Sequence, residues 1–256
     1  MSSLFDLTGR LALVTGSSRG LGLALATGLA QHGARVVLHG RDEEALARAR
    51  EQVAAAGDGT AVPTVSFDVT DAAAVREGVG ALLAEHGTPD ILVNNAGIQR
   101  RAAFNDFDPA DWDDIVAANL SSAFYVSQQI TRGMAERGSG KVVNVGSVQS
   151  QLARQTIAPY SATKGGLVML TKGMAADLAR FNIQVNAISP GYFATEMNRA
   201  LVEDEDFTRW VVERTPARRW GRVEELVGTL VYLCSDAASF VSGQNVFVDG
   251  GMTAVV

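Results

Sequence analysis

The chain has 256 residues, 47% of them hydrophobic and 20% charged, with a formal net charge of −6. Such a composition provides for a large core, and its acidic balance argues against nucleic acid as a partner, because no basic excess is available for a phosphate-binding face. A single cysteine, Cys234 in the apolar run "LVGTLVYLC", excludes an internal disulfide and reads as a core residue.

Short β-rich runs then alternate with helical patterns along the whole chain. "LALVT" (11–15) reads as a first strand running into "TGSSRGLG" (15–22), and a helix follows near 20–32. A strand, a glycine turn and a helix N-terminus together place backbone N–H groups against a phosphate. Gly16 permits the turn, Gly20 lets the backbone approach a pyrophosphate and Gly22 allows close helix packing, with Ser18, Arg19 and Leu21 on the same loop. A second strand, "RVVLH" (35–39), ends in Gly40 and Arg41 before a helix near 42–56. An acid at this place holds a ribose 2′-hydroxyl. Here two guanidinium groups, Arg19 and Arg41, favour a 2′-phosphate, so NADP is expected over NAD.

Further strands are expected at 62–68, 91–95, 141–146, 183–189 and 245–249, with helices near 71–86, 109–137, 159–181 and 222–234. Several of the strands are continuously apolar, as in sheets covered on both faces. The alternation predicts an α/β Rossmann fold in one domain spanning 1–256, a doubly wound parallel sheet of seven strands with helices on both faces. Residues 190–221 interrupt it with acidic, helical-looking sequence beside the carboxyl ends of the strands, where a substrate lid is expected. His32, His39 and His86 are scattered, and no metal site is expected. Neither a signal peptide nor an apolar run of about 20 residues is seen, so no membrane contact and a cytoplasmic location are expected.

The later motifs, taken with the glycine turn, resemble the short-chain dehydrogenase/reductase family. They are Thr15–Gly22, the "NNAG" of Asn94–Gly97, Asn119 in "AANLSSAF", Ser147 in "NVGSVQS", the "YxxxK" of Tyr160 and Lys164, and Pro190–Gly191 followed by Thr195. All stand in family order and spacing. The resemblance implies a catalytic set of Asn119, Ser147, Tyr160 and Lys164. A free phenol has a pKa of about 10, too high for acid–base work at neutral pH. Lys164, four residues on, together with an oxidised nicotinamide, is expected to favour phenolate and make Tyr160 a usable general acid/base. Ser147 is expected to hold the substrate oxygen, and Asn119 a water linking Lys164 to solvent. The same resemblance puts Asp68 and Val69 beside adenine, and Asn95, Ala96 and Gly97 beside the adenosine ribose. It puts Tyr160 and Lys164 by the nicotinamide ribose, and Ile188, Pro190, Gly191 and Thr195 by the carboxamide and phosphate.

Three features address the substrate. Arg100 and Arg101 follow NNAG, Arg154 follows the catalytic Ser, and "RTPARRWG" closes the lid. Arginines at a pocket mouth suit a carboxylate gripped by a planar fork. With "GYFATEM" and the C-terminal "DGG", these stretches look most like family members acting on sugar acids. That resemblance implies NADP(H)-linked interconversion of D-gluconate and 5-dehydro-D-gluconate, with Arg101 and Arg154 on the carboxylate, Gln149 on a hydroxyl, and Ser147 and Tyr160 at the reacting carbon. Oxidation of 2-deoxy-D-gluconate at carbon 3 and reduction of 3-oxoacyl-carrier protein are the alternatives. The acidic "VEDEDF" (202–207) speaks against an acidic carrier protein. A cofactor-sensing binding module is disfavoured because all four catalytic positions are filled. The apolar C-terminal stretch and the family resemblance lead to an expected homotetramer.

Overall fold

Seven of the strands join one parallel sheet in the order β3-β2-β1-β4-β5-β6-β9 in a computed structural model that describes residues 4–195 and 198–255. They are β1 (Leu11–Val14), β2 (Arg35–His39), β3 (Thr64–Val65), β4 (Ile91–Asn94), β5 (Gly140–Val145), β6 (Ile183–Pro190) and β9 (Asn245–Val248). The helices between them are α1 (Gly20–Gln31), α2 (Glu43–Ala56), α3 (Ala72–His86), α4 (Pro109–Val116), α5 (Ser122–Arg137), α6 (Ala158–Leu178) and α9 (Val227–Cys234). Alternate strand residues feed two cores. Ala12 and Val14 pack with Leu25 and Leu29 of α1, Leu46 of α2 and Leu230 of α9, whereas Leu11 and Leu13 face the core of Val79 of α3 and Ile130 of α5. The sheet is therefore doubly wound, and the strand order reverses between β1 and β4. At that point the loops leave to opposite faces and open a crevice at the carboxyl ends.

Two expected elements differ. The third strand shrinks from 62–68 to Thr64–Val65, because Pro63 has no N–H for a ladder and only Leu38 and His39 find partners across the edge. The long helix over 109–137 is two helices joined by a π turn at Ala117–Ser121, where the Ser122 N–H reaches back to the Ala117 carbonyl. Single π turns re-aim side chains, and this one turns Asn119 inward until it is 2% exposed.

The stretch after β6 holds β7 (Phe193–Ala194), α7 (Arg199–Val202), α8 (Glu205–Arg214) and β8 (Gly221–Arg222). Strands β7 and β8 pair in parallel, so the excursion leaves and rejoins the body at one place. Of the "GYFATEM" motif, Glu196 and Met197 lie outside the described residues. Cys234 is buried in the core, its thiol pushed up to about 12 by burial. No helix among the described residues is long and apolar enough to cross a membrane.

Candidate active site

The glycine loop is built to leave its outer side open. Gly16 and Gly20 sit at φ +63° and +58°, where side chains are disfavoured. A Cβ on Gly22 would strike the Gly16 carbonyl and the Asn95 amide. Thr15 Oγ1 accepts from the N–H groups of Asn95 and Ala96 at 3.0 and 3.1 Å, and Asn95 Nδ2 donates to the carbonyls of Thr15 and Gly16 at 2.9 and 3.1 Å. The Asn95 side chain thus braces the loop through its amide nitrogen. Arg19, the exposed N-cap of α1, offers no side-chain acceptor to the first turn. Open amides at a helix start, beside a cradle that a methyl group would fill, fit a pyrophosphate.

A histidine ties the adenosine end together. His39 Nδ1 accepts from Gly16 N–H at 3.1 Å, which leaves Nε2–H to donate to the Phe67 carbonyl at 3.1 Å. Its backbone N–H donates to Ser17 Oγ at 2.9 Å, and its ring lies 4.3 Å from that of Phe67. Burial pushes the imidazole down to about 4, so it is neutral at pH 7. Next to it, Ser18 lies 3.1 Å from where a Gly40 Cβ would stand. Arg41 is exposed and pairs with Asp68 at 2.8 Å, and the other Asp68 oxygen accepts from Thr70. Val69 sits in the core, so only its backbone faces outward.

The strand ends align the opposite half of the site. Asn94 Nδ2 donates to Asn144 Oδ1 and to Ser127 Oγ, both at 2.8 Å, and Asn144 Nδ2 donates to Thr171 Oγ1 at 2.9 Å. This buried relay fastens α6 to β4 and β5. Helix α6 begins at Ala158 with Pro159 in its first turn, where a missing N–H is harmless. Gly166 lets the helix approach Leu120, which a Cβ there would crowd at 3.2 Å. Ser147 is buried, and its N–H donates to Ser189 Oγ at 3.2 Å, while Ser189 donates to Asn245 Oδ1 at 2.6 Å. Asn119 is clamped to the Ile98 backbone, Oδ1 accepting at 2.7 Å and Nδ2 donating at 2.9 Å. Pro190 ends β6, Gly191 N–H donates to the Val248 carbonyl at 3.0 Å, and Thr195 Oγ1 accepts from Asn198 N–H at 3.2 Å.

Tyr160 and Ser147 meet: their side chains are hydrogen-bonded. Lys164 Nζ stands 5.7 Å from the Tyr160 ring centroid and donates to the Val145 carbonyl at 2.7 Å. The expected acidified phenol is not what the protein alone provides. Burial raises the Tyr160 pKa above its ordinary value, with Tyr192 adding to the effect, while the Ser147 hydrogen bond and the Arg101 charge pull it back. Lys164 is itself pushed down to about 8 by burial. Its ammonium points to a carbonyl rather than to the phenol oxygen. The geometry therefore offers a neutral hydroxyl donor beside a second hydroxyl.

The arginines separate into two groups. Arg101 shares its surroundings with Arg154, Tyr192 and Tyr160; partial burial, then the Arg154 charge, lowers its pKa. Arg154 Nε and Gln149 Oε1 are buried without a partner among the described residues. Arg100, expected to face the cleft, pairs instead with Asp111 of α4 at 3.2 Å. In "RTPARRWG", Arg219 is doubly hydrogen-bonded to Glu225 at 2.7 Å, and Arg222 lies 3.5 Å from the same carboxylate. These two shape the end of the 190–221 excursion rather than the pocket. The acidic run is likewise internal: Asp204 caps α8, and Asp206 pairs with Arg209. Tyr192 belongs to the pocket group although the reading of "GYFATEM" gave it no role of its own; its place after Pro190–Gly191 was the available signal.

A sequence-family profile described as enoyl-(acyl carrier protein) reductase matches residues 16–253. The chain is 56% identical over 250 residues to gluconate 5-dehydrogenase of Gluconobacter oxydans (strain 621H), covering 98% of this chain and 97% of that protein. It is 49% identical to 5-keto-D-gluconate 5-reductase of Escherichia coli (strain K12), with both chains fully covered. A gluconate 5-dehydrogenase from Burkholderia cenocepacia J2315, solved in complex with NADP and tartrate, superposes with a TM-score of 0.95 at 52% identity over 98% of each chain.

Proposed function

Because the chain belongs to the short-chain dehydrogenase/reductase family, we propose that it interconverts D-gluconate and 5-dehydro-D-gluconate with NADP(H). The observation that carries this reading is the gathering of Arg101 and Arg154 about the Tyr160–Ser147 hydroxyl pair, with neither arginine ion-paired to an acid among the described residues. A carboxylate is the missing counter-charge, and a hydroxyl or ketone further along the same substrate meets the two hydroxyls. The relatives named for gluconate and 5-keto-D-gluconate, and the solved relative holding NADP, agree with that chemistry.

When bound, NADP(H) supplies or accepts the hydride. Its pyrophosphate would lie on Gly16, Ser18, Gly20, Leu21 and Gly22, its 2′-phosphate on Arg19 and Arg41, its adenine by Asp68 and Val69. Asn95, Ala96 and Gly97 would border the ribose, and Pro190, Gly191 and Thr195 the nicotinamide side. In reduction, Tyr160 donates its proton to the carbonyl oxygen while Ser147 holds that oxygen by hydrogen bond. Burial keeps the phenol protonated for this step. In oxidation the proton must return, and a positive charge brought close to the phenol favours its departure. Lys164 supplies one such charge below pH 8, and Asn119 holds the neighbouring backbone in place. Gln149 meets a sugar hydroxyl, and 190–221 covers the pocket.

The discriminating experiment follows NADPH and NADH consumption with 5-keto-D-gluconate, 3-keto-2-deoxy-D-gluconate and an acetoacetyl thioester. NADPH turnover with 5-keto-D-gluconate is expected to dominate. A response confined to the thioester, or a preference for NADH, overturns the reading.

We also place the protein in the cytoplasm as a homotetramer. Phe124 on α5 and Met169 on α6 are 45% and 63% exposed, and Phe240 beside the C-terminal strand is fully so, which suits faces covered by other copies. A sedimentation boundary at monomer mass would refute the tetramer.

A further inference from the structure

Among the described residues, Arg154 meets a ring and no acid. Its guanidinium carbon lies 5.1 Å from the ring centroid of Phe207 in α8. Phe207 in turn packs among Tyr192, Trp210 and Trp220, at centroid separations of 5.8, 5.6 and 6.1 Å. Tyr192 meets both tryptophans nearly perpendicularly, at 5.6 and 5.7 Å. Trp220 is fixed in turn by donating Nε1–H to Thr208 Oγ1 at 3.2 Å. These four aromatic residues come from the loop after β6, from α8 and from the approach to β8, so they gather the whole 190–221 excursion at one point.

The choice of partner has a chemical consequence. A carboxylate beside Arg154 would neutralise it and occupy its N–H edge. A ring face attracts the cation, yet leaves that edge open in the plane of the guanidinium. Nε of that edge is buried and has no partner among the described residues. Of the acids just before Phe207, Asp204 caps the start of α8, Asp206 pairs with Arg209, and Glu205 is exposed in the first turn of the helix.

We propose that Phe207 is a positioning residue for Arg154, and that with Tyr192 lining the same pocket this aromatic group makes the site select anionic substrates. The proposal rests on the sugar-acid reading above and goes further by assigning selectivity to a residue that touches neither carboxylate nor cofactor. It also makes the seating of α8 and the grip on the anion a single event, since both pass through one ring.

The test compares kcat/KM for 5-keto-D-gluconate with kcat/KM for its uncharged carboxamide in the full-length protein. Phe207→Leu is expected to lower the ratio of acid to amide by roughly 3- to 30-fold, the range of a cation–π contact. Phe207→Tyr is expected to restore it, and Phe207→Leu added to Arg154→Gln is expected to lose little beyond Arg154→Gln alone. Equal losses on acid and amide, or additive losses in the double variant, overturn the positioning role. If the wild-type protein reduces another anionic ketone but not 5-keto-D-gluconate, the substrate assignment fails, and the same ratio measured on that ketone and its amide still decides the role of Phe207.

Discussion

Acidification from pH 7 to pH 5 is expected to weaken the protein through His39. In the fold this imidazole is neutral, with Nδ1 accepting from Gly16 and Nε2 donating to Phe67, and its pKa falls from 6.5 to about 4. The unfolded chain therefore binds the extra proton first. Stability from this group is complete above pH 6.5 and declines as pH drops towards 4. Each pH unit is worth about 1.4 kcal/mol, so the loss approaches 3 kcal/mol across the window and is about 2 kcal/mol at pH 5. Asp68 and Arg41, the charges facing the ring, act in opposite directions and are included in the lowered value. Urea unfolding at pH 7, 6 and 5 checks this, with His39→Gln as the control. Gln cannot titrate, so its curve is expected to be lower at pH 7 but flatter, and the two are expected to converge by about 2 kcal/mol at pH 5. Because the folded ring stays neutral down to about pH 4, its hold on the glycine loop is expected to persist across most of that window, and the loss appears in unfolding rather than in NADPH affinity. Parallel stability curves for the two proteins would show that His39 stays out of the proton balance.

Two further outcomes are expected. Tyr160→Phe removes the proton donor but keeps the ring beside Lys164, so turnover falls by roughly 10²- to 10⁴-fold while NADPH quenching titrations stay near wild type; surviving turnover displaces Tyr160 from its role. Gly22→Ala drives a methyl into the Gly16 carbonyl and the Asn95 amide. NADPH binding is expected to weaken at least tenfold, by isothermal titration, with the helix content of the protein retained; unchanged affinity would mean that the loop is not the phosphate cradle.

The sequence exposed the strands, the glycine turn and the run of chemical groups because each depends on local pattern: continuous apolar runs, glycines at positive φ, a Tyr and a Lys one helical turn apart. It was less informative where neighbours decide. Pro63 shortened β3, and the π turn at Asn119 has no periodic signal of its own. Arg100 and Arg219 looked like pocket residues, since a charge in a sequence does not announce its partner; Asp111 and Glu225 claim them. Tyr192 went unassigned for the converse reason, as an aromatic whose surroundings are assembled from residues as distant in sequence as Trp220, Arg154 and Arg101. The phenol of Tyr160 shows the same limit. Spacing placed Lys164 nearby, but the direction of the ammonium and the depth of burial decide the protonation state.

The buried amide relay from Asn94 through Asn144 to Thr171 divides the molecule into a part that is welded and a part that is merely seated. Proton delivery belongs to the welded part, whose geometry is common property of sheet and helix. Recognition belongs to the seated part, which rests on ring faces. A lineage is thus free to exchange 190–221 for another segment and acquire a new ketone without disturbing how that ketone is reduced.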